Sequence, residues 1–517
     1  MAEAPVQLVW FKRDLRCHDH LPLAEACALG PVLPLYVIEP SLWQQPDSAQ
    51  RHWDFIAESL EALADALAEL GLPLCVLEGE AVEVLEWVTA ALGPCSLRSH
   101  QETGNAWSFE RDRTVAEWCR RRGVPWHQAR QQGVIRGLGH RRGWATQWEA
   151  LMAEPLAVPR PARPPSGWQE LPSLPRARWR AKRLGVGREP CPGRQAGGRP
   201  AGLDVWHAFL AGRGVRFHRD IGSPDRARRA GSRLSPHLAW GTLSLREVVQ
   251  GLRRARGERR DDPEWSRALA ALESRLHWHC HFIQKLESAP DLEHRTLHPA
   301  LRGLRETPAP ERLVAWCEGR TGVPLVDACM VSLRDTGWLN FRMRAMLVSF
   351  ATFGLGLPWR DPALHLARLF VDYEPGIHYP QVQMQAGLTG TNALRVYNPL
   401  KQAEERDPEG HFVARWLPAL AGLPPTWRHR PWALPVAERT VLGFHPGRDY
   451  PLPVHDFESE ARRWKREFHA ARRAPEARAA SEALLERLAS RRPARRAGAP
   501  AASPQLSLFS DSDKETP

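Results

Sequence analysis

The sequence predicts two unlike folded units in one chain: an α/β domain on a Rossmann-like, doubly wound parallel sheet of five strands, then an all-α domain. Three observations predict this. Over residues 1–135, short apolar runs alternate with longer amphipathic stretches, the pattern of βαβ units whose sheet is covered on both faces. From Leu203 onward the strand pattern does not recur, and Pro and Gly breaks separate segments of helical period. Between the two, residues 136–202 hold Pro155, Pro159, Pro161, Pro164, Pro165, Pro172 and Pro175 and then Arg- and Gly-rich runs, which predicts a long connector with little to bury.

Val6–Phe11 is continuously apolar, as a fully buried strand is, and Val32–Ile38 repeats it. A helix is predicted over Arg51–Leu70 and a third strand over Leu72–Leu77. A helix over Ala81–Leu92, a strand over Cys95–Ser99, a helix over Ser108–Arg121 and a strand over Pro125–Gln128 complete the first domain. In the second domain, residues 203–470, helical period marks Leu243–Arg253, Pro263–Glu287, Arg312–Cys317, Val326–Thr336, Asn340–Leu355, Pro362–Phe370 and Asp456–Ala470. Residues 471–517, rich in Ala, Arg, Pro and Ser, predict a helix and then a disordered tail.

Composition narrows the function classes. The 517 residues carry a formal charge of +12, and only six of the 71 basic residues are lysine. Guanidinium groups bind phosphate bidentately and stack on aromatic rings, so an anionic partner is expected. Twenty-two tryptophans beside five tyrosines point to planar ligands. Nine scattered cysteines without a CxxC disfavour a disulfide framework or a structural zinc site, and with no targeting segment and no apolar run long enough to span a bilayer the chain is expected to be cytoplasmic.

The run Leu8-Val9-Trp10-Phe11-Lys12-Arg13-Asp14-Leu15-Arg16 ends the first strand in a burst of charge, at the end of a parallel sheet where ligands sit. An alternative is that Arg13, Asp14 and Arg16 pair with one another. Ser232-Arg233-Leu234-Ser235-Pro236 sets two hydroxyls and a run of N–H groups before a helix, a form that suits a pyrophosphate; a plain N-cap by Ser235 is the alternative. His277 and His281, one turn apart, lack a third ligand, and no metal is expected.

Taken together, the opening run, Ser232-Arg233-Leu234-Ser235-Pro236-His237-Leu238-Ala239-Trp240-Gly241, Trp316 to Ala328, Thr336 to Arg344, Trp416-Leu417-Pro418 and Arg430-Pro431-Trp432 resemble the photolyase/cryptochrome family, in order, across residues 5–135 and 203–455. The resemblance implies FAD as cofactor, UV-damaged DNA as partner, and light-driven splitting of pyrimidine dimers; a cryptochrome-like photoreceptor without repair activity is the alternative. It implies FAD contacts from Ser232, Arg233, Leu234, Ser235, Trp338, Asn340, Arg344, Asp372, Glu374 and His378. Arg344 and Asp372 form the implied ion pair beside the flavin ring, and His378, titratable near neutral pH, faces the ring nitrogen N5. A satisfied histidine at a buried turn is the other reading of His378. Trp278 matches the substrate-facing tryptophan, with Arg275 where an acid is usual. Trp359 matches the middle of an electron relay whose inner position is Val382. Glu110 is implied to meet a folate or deazaflavin antenna, with a surface helix charge as the alternative. Arg395 and Lys401 are candidates for DNA phosphates. Cys280, Cys317 and Cys329 are too few for an iron–sulfur cluster, and none is expected. In the tail, Gln505-Leu506-Ser507-Leu508-Phe509 resembles the pentapeptide that docks bacterial repair proteins on the sliding clamp. A monomer is expected.

Overall fold

The computed structural model describes residues 4–184, 187 and 189–488. Strands β1 (Val6–Phe11), β2 (Val32–Ile38), β3 (Cys75–Glu78), β4 (Cys95–His100) and β5 (Trp126–Ala129) form one parallel sheet in the order β3-β2-β1-β4-β5. β1 is central, with Leu8 opposite both Leu33 and Leu97. The strand order reverses direction between β1 and β4, so the carboxyl ends of these two strands frame a crevice. β3 begins three residues later than predicted, because Leu72–Leu74 belong to the turn that leads into it.

Numbering helices of nine residues or more, α1 (Leu21–Leu29), α2 (Gln50–Glu69), α3 (Ala81–Leu92) and α4 (Ala106–Arg122) cover the sheet. α1 was not predicted. It starts at a histidine cap, His20 accepting from Leu23 N, which is an unusual signal. One face of the sheet packs under Trp53, Ile56, Leu60 and Leu63 of α2, the other under Leu85, Val88, Val115 and Trp118 of α3 and α4.

The connector is built into the fold. It carries α5 (Trp144–Ala153), whose Trp144 and Trp148 are buried in a helical core, and Trp179, 3% exposed, which closes the sheet's α2 face and accepts a hydrogen bond from Trp53 Nε1 at 2.9 Å. The expectation of little to bury is corrected by these three indoles. Seven prolines dominate the local pattern, but each large ring buries roughly 150–250 Å² of surface without any periodic pattern to announce it.

The rest is helical: α6 (Arg199–Ala208), α7 (Leu245–Glu258), α8 (Pro263–Ser288), α9 (Pro310–Glu318), α10 (Pro324–Thr336), α11 (Phe341–Ser349), α12 (Arg360–Leu369), α13 (Pro375–Gln385), α14 (Phe457–Ala471) and α15 (Pro475–Leu488). The helix predicted over Asn340–Leu355 ends at Ser349 and continues as a π-turn over Phe350–Gly354. No helix among the described residues is long and apolar enough to cross a membrane.

The two units share a polar seam. Arg51 of α2, 1% exposed, donates from Nη1 to Leu369 O at 2.8 Å and Leu333 O at 3.4 Å, so one cation closes the carboxyl ends of α12 and α10. Trp240 Nε1 donates to Val371 O at 2.8 Å.

Candidate functional site

The Arg13, Asp14 and Arg16 side chains do not pair with one another, although Asp14 Oδ1 accepts from Lys12 N at 2.7 Å. Arg13 donates from Nε to Ala239 O at 3.1 Å and from Nη2 to Tyr373 O, with its guanidinium 4.1 Å over the Trp240 ring. Arg16 donates to Gly241 O at 2.9 Å. Gly241 explains why this contact closes: its φ is +67°, and a Cβ there would sit 2.2 Å from Arg13 O and 2.5 Å from Asp14 Cα. Asp14 instead accepts from His20 Nε2 at 3.0 Å and His100 Nδ1 at 2.7 Å. This buried trio is the one group with metal-like spacing among the described residues. The His20 Nδ1 lone pair already accepts from Leu23 N, so its proton sits on Nε2 and no lone pair is left for an ion. His277 and His281 pack edge-on against Trp144, at 5.0 and 6.0 Å.

A cavity of about 290 Å³ opens among α8, α11, α12 and α13 and the loop before α13. Arg344 on α11 donates to both carboxylate oxygens of Asp372, at 3.0 and 2.7 Å, and from Nε to Leu339 O at 2.8 Å. Its guanidinium also lies 3.9 Å from the Phe370 ring centre, so three contacts hold one orientation. Ser235, Trp338, Asn340, Glu374 and His378 share the wall, with Trp278, 37% exposed, and Arg275.

Glu374 caps α13 by accepting from Gly376 N at 3.4 Å and lies 3.6 Å from Arg13. Burial outweighs Arg13 and lifts its carboxyl to about 7. His378 lies on the first turn of α13, not in a loop. Its Nε2 sits 2.8 Å from Ala363 O; a carbonyl only accepts, so the proton is on Nε2 and Nδ1 is an acceptor. Burial pushes its pKa down to about 4, which corrects the expectation of a group titrating near neutral pH.

Around the phosphate-type motif, the short helix Ser235–Ala239 has Leu234 at its cap with no side-chain cap bond, so Ser235 is not an N-cap. Arg233 holds φ +61°, a strained backbone for a residue with a side chain, and its guanidinium lies 4.0 Å over Trp338. Ser232 is half-buried and its carbonyl accepts from Arg213 at 3.4 Å.

The remaining expected residues lie elsewhere. Trp359 caps α12, packs against the helical core and is not in the cavity wall, whereas Val382 is. Arg395 and Lys401 are exposed, outside the wall. Glu110 is an exposed side chain paired with Arg113 at 3.0 Å, because its turn of α4 faces outward. The inward neighbours, Glu102 and Arg111, border the crevice at the carboxyl ends of β1, β2 and β4. That crevice encloses about 60 Å³. Gln505–Phe509 lies outside the described residues. Sequence reasoning missed Asp47, Tyr373 as a wall residue, His279 and Gln381: Asp47 and Gln381 have no chemically suggestive neighbours, while Tyr373 and His279 stand beside stronger candidates, Asp372 and Glu374, and Trp278.

The donor set fits FAD. Asn340 Oδ1 and Gln381 Oε1, in the cavity wall, and Arg233 Nη1, beside Ser232, are buried without a partner. Buried polar atoms are rarely left unmatched, and an acceptor, a second acceptor and a guanidinium N–H answer the ring amide, the ribityl hydroxyls and the diphosphate of such a dinucleotide. The comparisons agree. The family model "DNA photolyase" matches residues 7–137, and "FAD binding domain of DNA photolyase" matches residues 272–470. A deoxyribodipyrimidine photo-lyase of Streptomyces griseus is 31% identical over 89% of this chain and 98% of its own. A cryptochrome DASH of Gloeobacter violaceus is 30% identical over 88% and 94%. The crystal structure of a bacterial class III photolyase from Agrobacterium tumefaciens aligns with a TM-score of 0.80 at 24% identity, over 92% of this chain and 99% of that one.

Proposed function

Because this chain belongs to the DNA photolyase/cryptochrome family, with its FAD-binding domain, we propose that it is a light-driven DNA repair lyase that splits UV-induced pyrimidine dimers. The observation that carries this reading is the cavity, which joins a fixed Arg344–Asp372 pair on its inner wall to a half-exposed Trp278 at its mouth. When bound, reduced FAD supplies the photoexcited electron that opens the dimer.

The residues divide the remaining work. Ser232 to Ser235 and Arg233 hold the diphosphate. Arg344 sets a positive charge against the flavin ring, and Asp372 keeps it in place. His378 offers Nδ1 as an acceptor, so it suits a ring nitrogen that carries hydrogen. Glu374, with its carboxyl at about 7, donates a hydrogen bond in its protonated form. Trp278 gives an aromatic surface for a base swung out of the duplex, and Arg395 and Lys401 lie on the chain's exposed basic surface for phosphates.

Illumination of purified, flavin-reduced protein with dimer-containing DNA tests the reading. Restored bases are expected; none, with reduced flavin present, would overturn it. One observation favours a photoreceptor instead: the cavity mouth carries Arg275 where a repair enzyme's acid is expected. A flavoprotein that leaves dimers intact yet changes partners on illumination would establish that reading. The tail motif Gln505–Phe509 extends the repair reading to the sliding clamp, and unchanged clamp binding after its deletion would remove it.

A further inference from the structure

The chain has five tyrosines, and two of them share one carboxylate. Tyr373 and Tyr379 donate their hydroxyls to Asp47 Oδ2, at 2.5 and 3.2 Å. Asp47 is 3% exposed, comes from the turn before α2, and pairs with no basic side chain among the described residues; its other donor is the Asn105 amide at 3.1 Å. A buried carboxylate that faces phenols rather than a cation is a base placed to take a phenolic proton.

Tyr373 belongs to the wall of the FAD cavity and to that of the crevice beside the sheet. Its ring lies 5.4 Å from that of His378 on one side and stacks 5.8 Å from His52 on the other. Three residues of the cavity wall can be oxidised by one electron: Trp278, Trp338 and Tyr373. Trp278 is at the exposed mouth. Trp338 has the Arg233 guanidinium 4.0 Å over its ring, which opposes a tryptophan radical cation. Tyr373 is 5% exposed and ends neutral on oxidation, because its proton has a place to go.

We propose that Tyr373, with Asp47 as proton acceptor, is the residue that supplies an electron to photoexcited oxidised FAD. The proposal rests on the FAD reading above. Tyr373 loses one electron to the flavin and its hydroxyl proton to Asp47 Oδ2, leaving a neutral phenoxyl radical and a protonated carboxyl. A thiolate in solution then returns one electron to the radical while Asp47 returns the proton. The thiyl radicals pair as a disulfide, so the net change is one electron moved from each thiolate to the flavin. Tyr379 orients Asp47 and is a positioning residue.

The test is illumination of the oxidised, FAD-loaded protein with a small thiol, followed by transient absorption and electron paramagnetic resonance. A tyrosyl radical is expected in the wild type, forming about twofold slower in D₂O. Tyr373→Phe should keep its FAD and photoreduce at least about tenfold more slowly without that radical; Asp47→Asn should slow it while Tyr373 remains. Tyr379→Phe should retain the radical. If Tyr373→Phe does not fold, wild-type protein grown on ring-deuterated tyrosine decides: the resonance narrows if the radical is a tyrosyl. A tryptophanyl radical in the wild type, or an unchanged rate in Tyr373→Phe, overturns the proposal and leaves the FAD reading standing. A preparation that binds no flavin overturns the FAD reading itself.

Discussion

Asp372 holds Arg344 through both carboxylate oxygens, so Asp372→Asn keeps the shape but breaks a charge-assisted pair in the cavity wall. The expected result is about tenfold weaker FAD retention, from a loss near 1.4 kcal/mol, read from flavin absorbance after gel filtration. Glu374 makes a second residue-scale prediction. Its carboxyl is raised to about 7 from 4.5, so its contribution is full below pH 4.5 and is lost as pH rises through 7. Glu374→Gln stays neutral throughout; relative to wild type it should gain about 3 kcal/mol between pH 4.5 and 8 in urea melts, from roughly 1.4 kcal/mol per unit. A parallel pair of stability curves would contradict the assignment. His378 shows what residue identity hides. An isolated imidazole titrates near neutrality, but burial, which outweighs the opposing pull of the Ala363 carbonyl, keeps this one neutral to about pH 4.

At the scale of elements, Gly241 is the tightest test of how the units meet. Gly241→Ala adds a Cβ 2.2 Å from Arg13 O at a φ of +67°, where neither backbone can yield cheaply. A loss of more than about 2 kcal/mol in denaturant melts is expected, together with looser packing of β1's exit, read from amide exchange at Leu15. β1 and β2 were legible as apolar runs of strand length, β4 and β5 only as short segments in the strand–helix alternation, and α8 because its apolar spacing runs through 26 residues. α13 was not, although it carries His378 and Val382. Pro375, Gly376 and Pro380 read as a loop, yet Pro375 sits at the first position, where a helix tolerates it, and Glu374 caps it. The motif residues of the cavity were legible one by one. The Asp47–Tyr373 contact was not, because it joins residues 326 apart and neither neighbourhood has a pattern that names the other.

For the whole molecule, burial sets the response to acid. His52, His237, His279, His365 and His378 are all pushed down to about 4, so their stabilisation is full above pH 6.5 and is lost as pH falls toward 4. Glu39, Glu293 and Glu374, raised to about 7, act oppositely between pH 4.5 and 7. His100, pushed down to about 3, joins the first group and Asp327, raised to about 6, the second, so six groups oppose four and stability should climb from pH 4.5 to 6.5 and be nearly flat between 7 and 8. A urea series at half-unit steps checks this; a maximum below pH 5.5 would refute it. The arginine excess also reads differently at this scale. Arg13, Arg16, Arg51 and Arg305 are turned inward onto carbonyls, so they stitch the fold and the +12 overstates the charge offered to DNA.

The seam has a consequence in time. A ribosome adds roughly 5–20 residues per second, and Arg13 waits for the carbonyl of Tyr373, 360 residues downstream. For about 10–50 s after the last strand is made, the finished sheet stands with Arg13, Arg51 and His52 turned toward partners that do not yet exist. The nascent α/β unit therefore presents a cationic, hydrogen-bond-hungry face, the surface a chaperone has to shield until the last helices arrive.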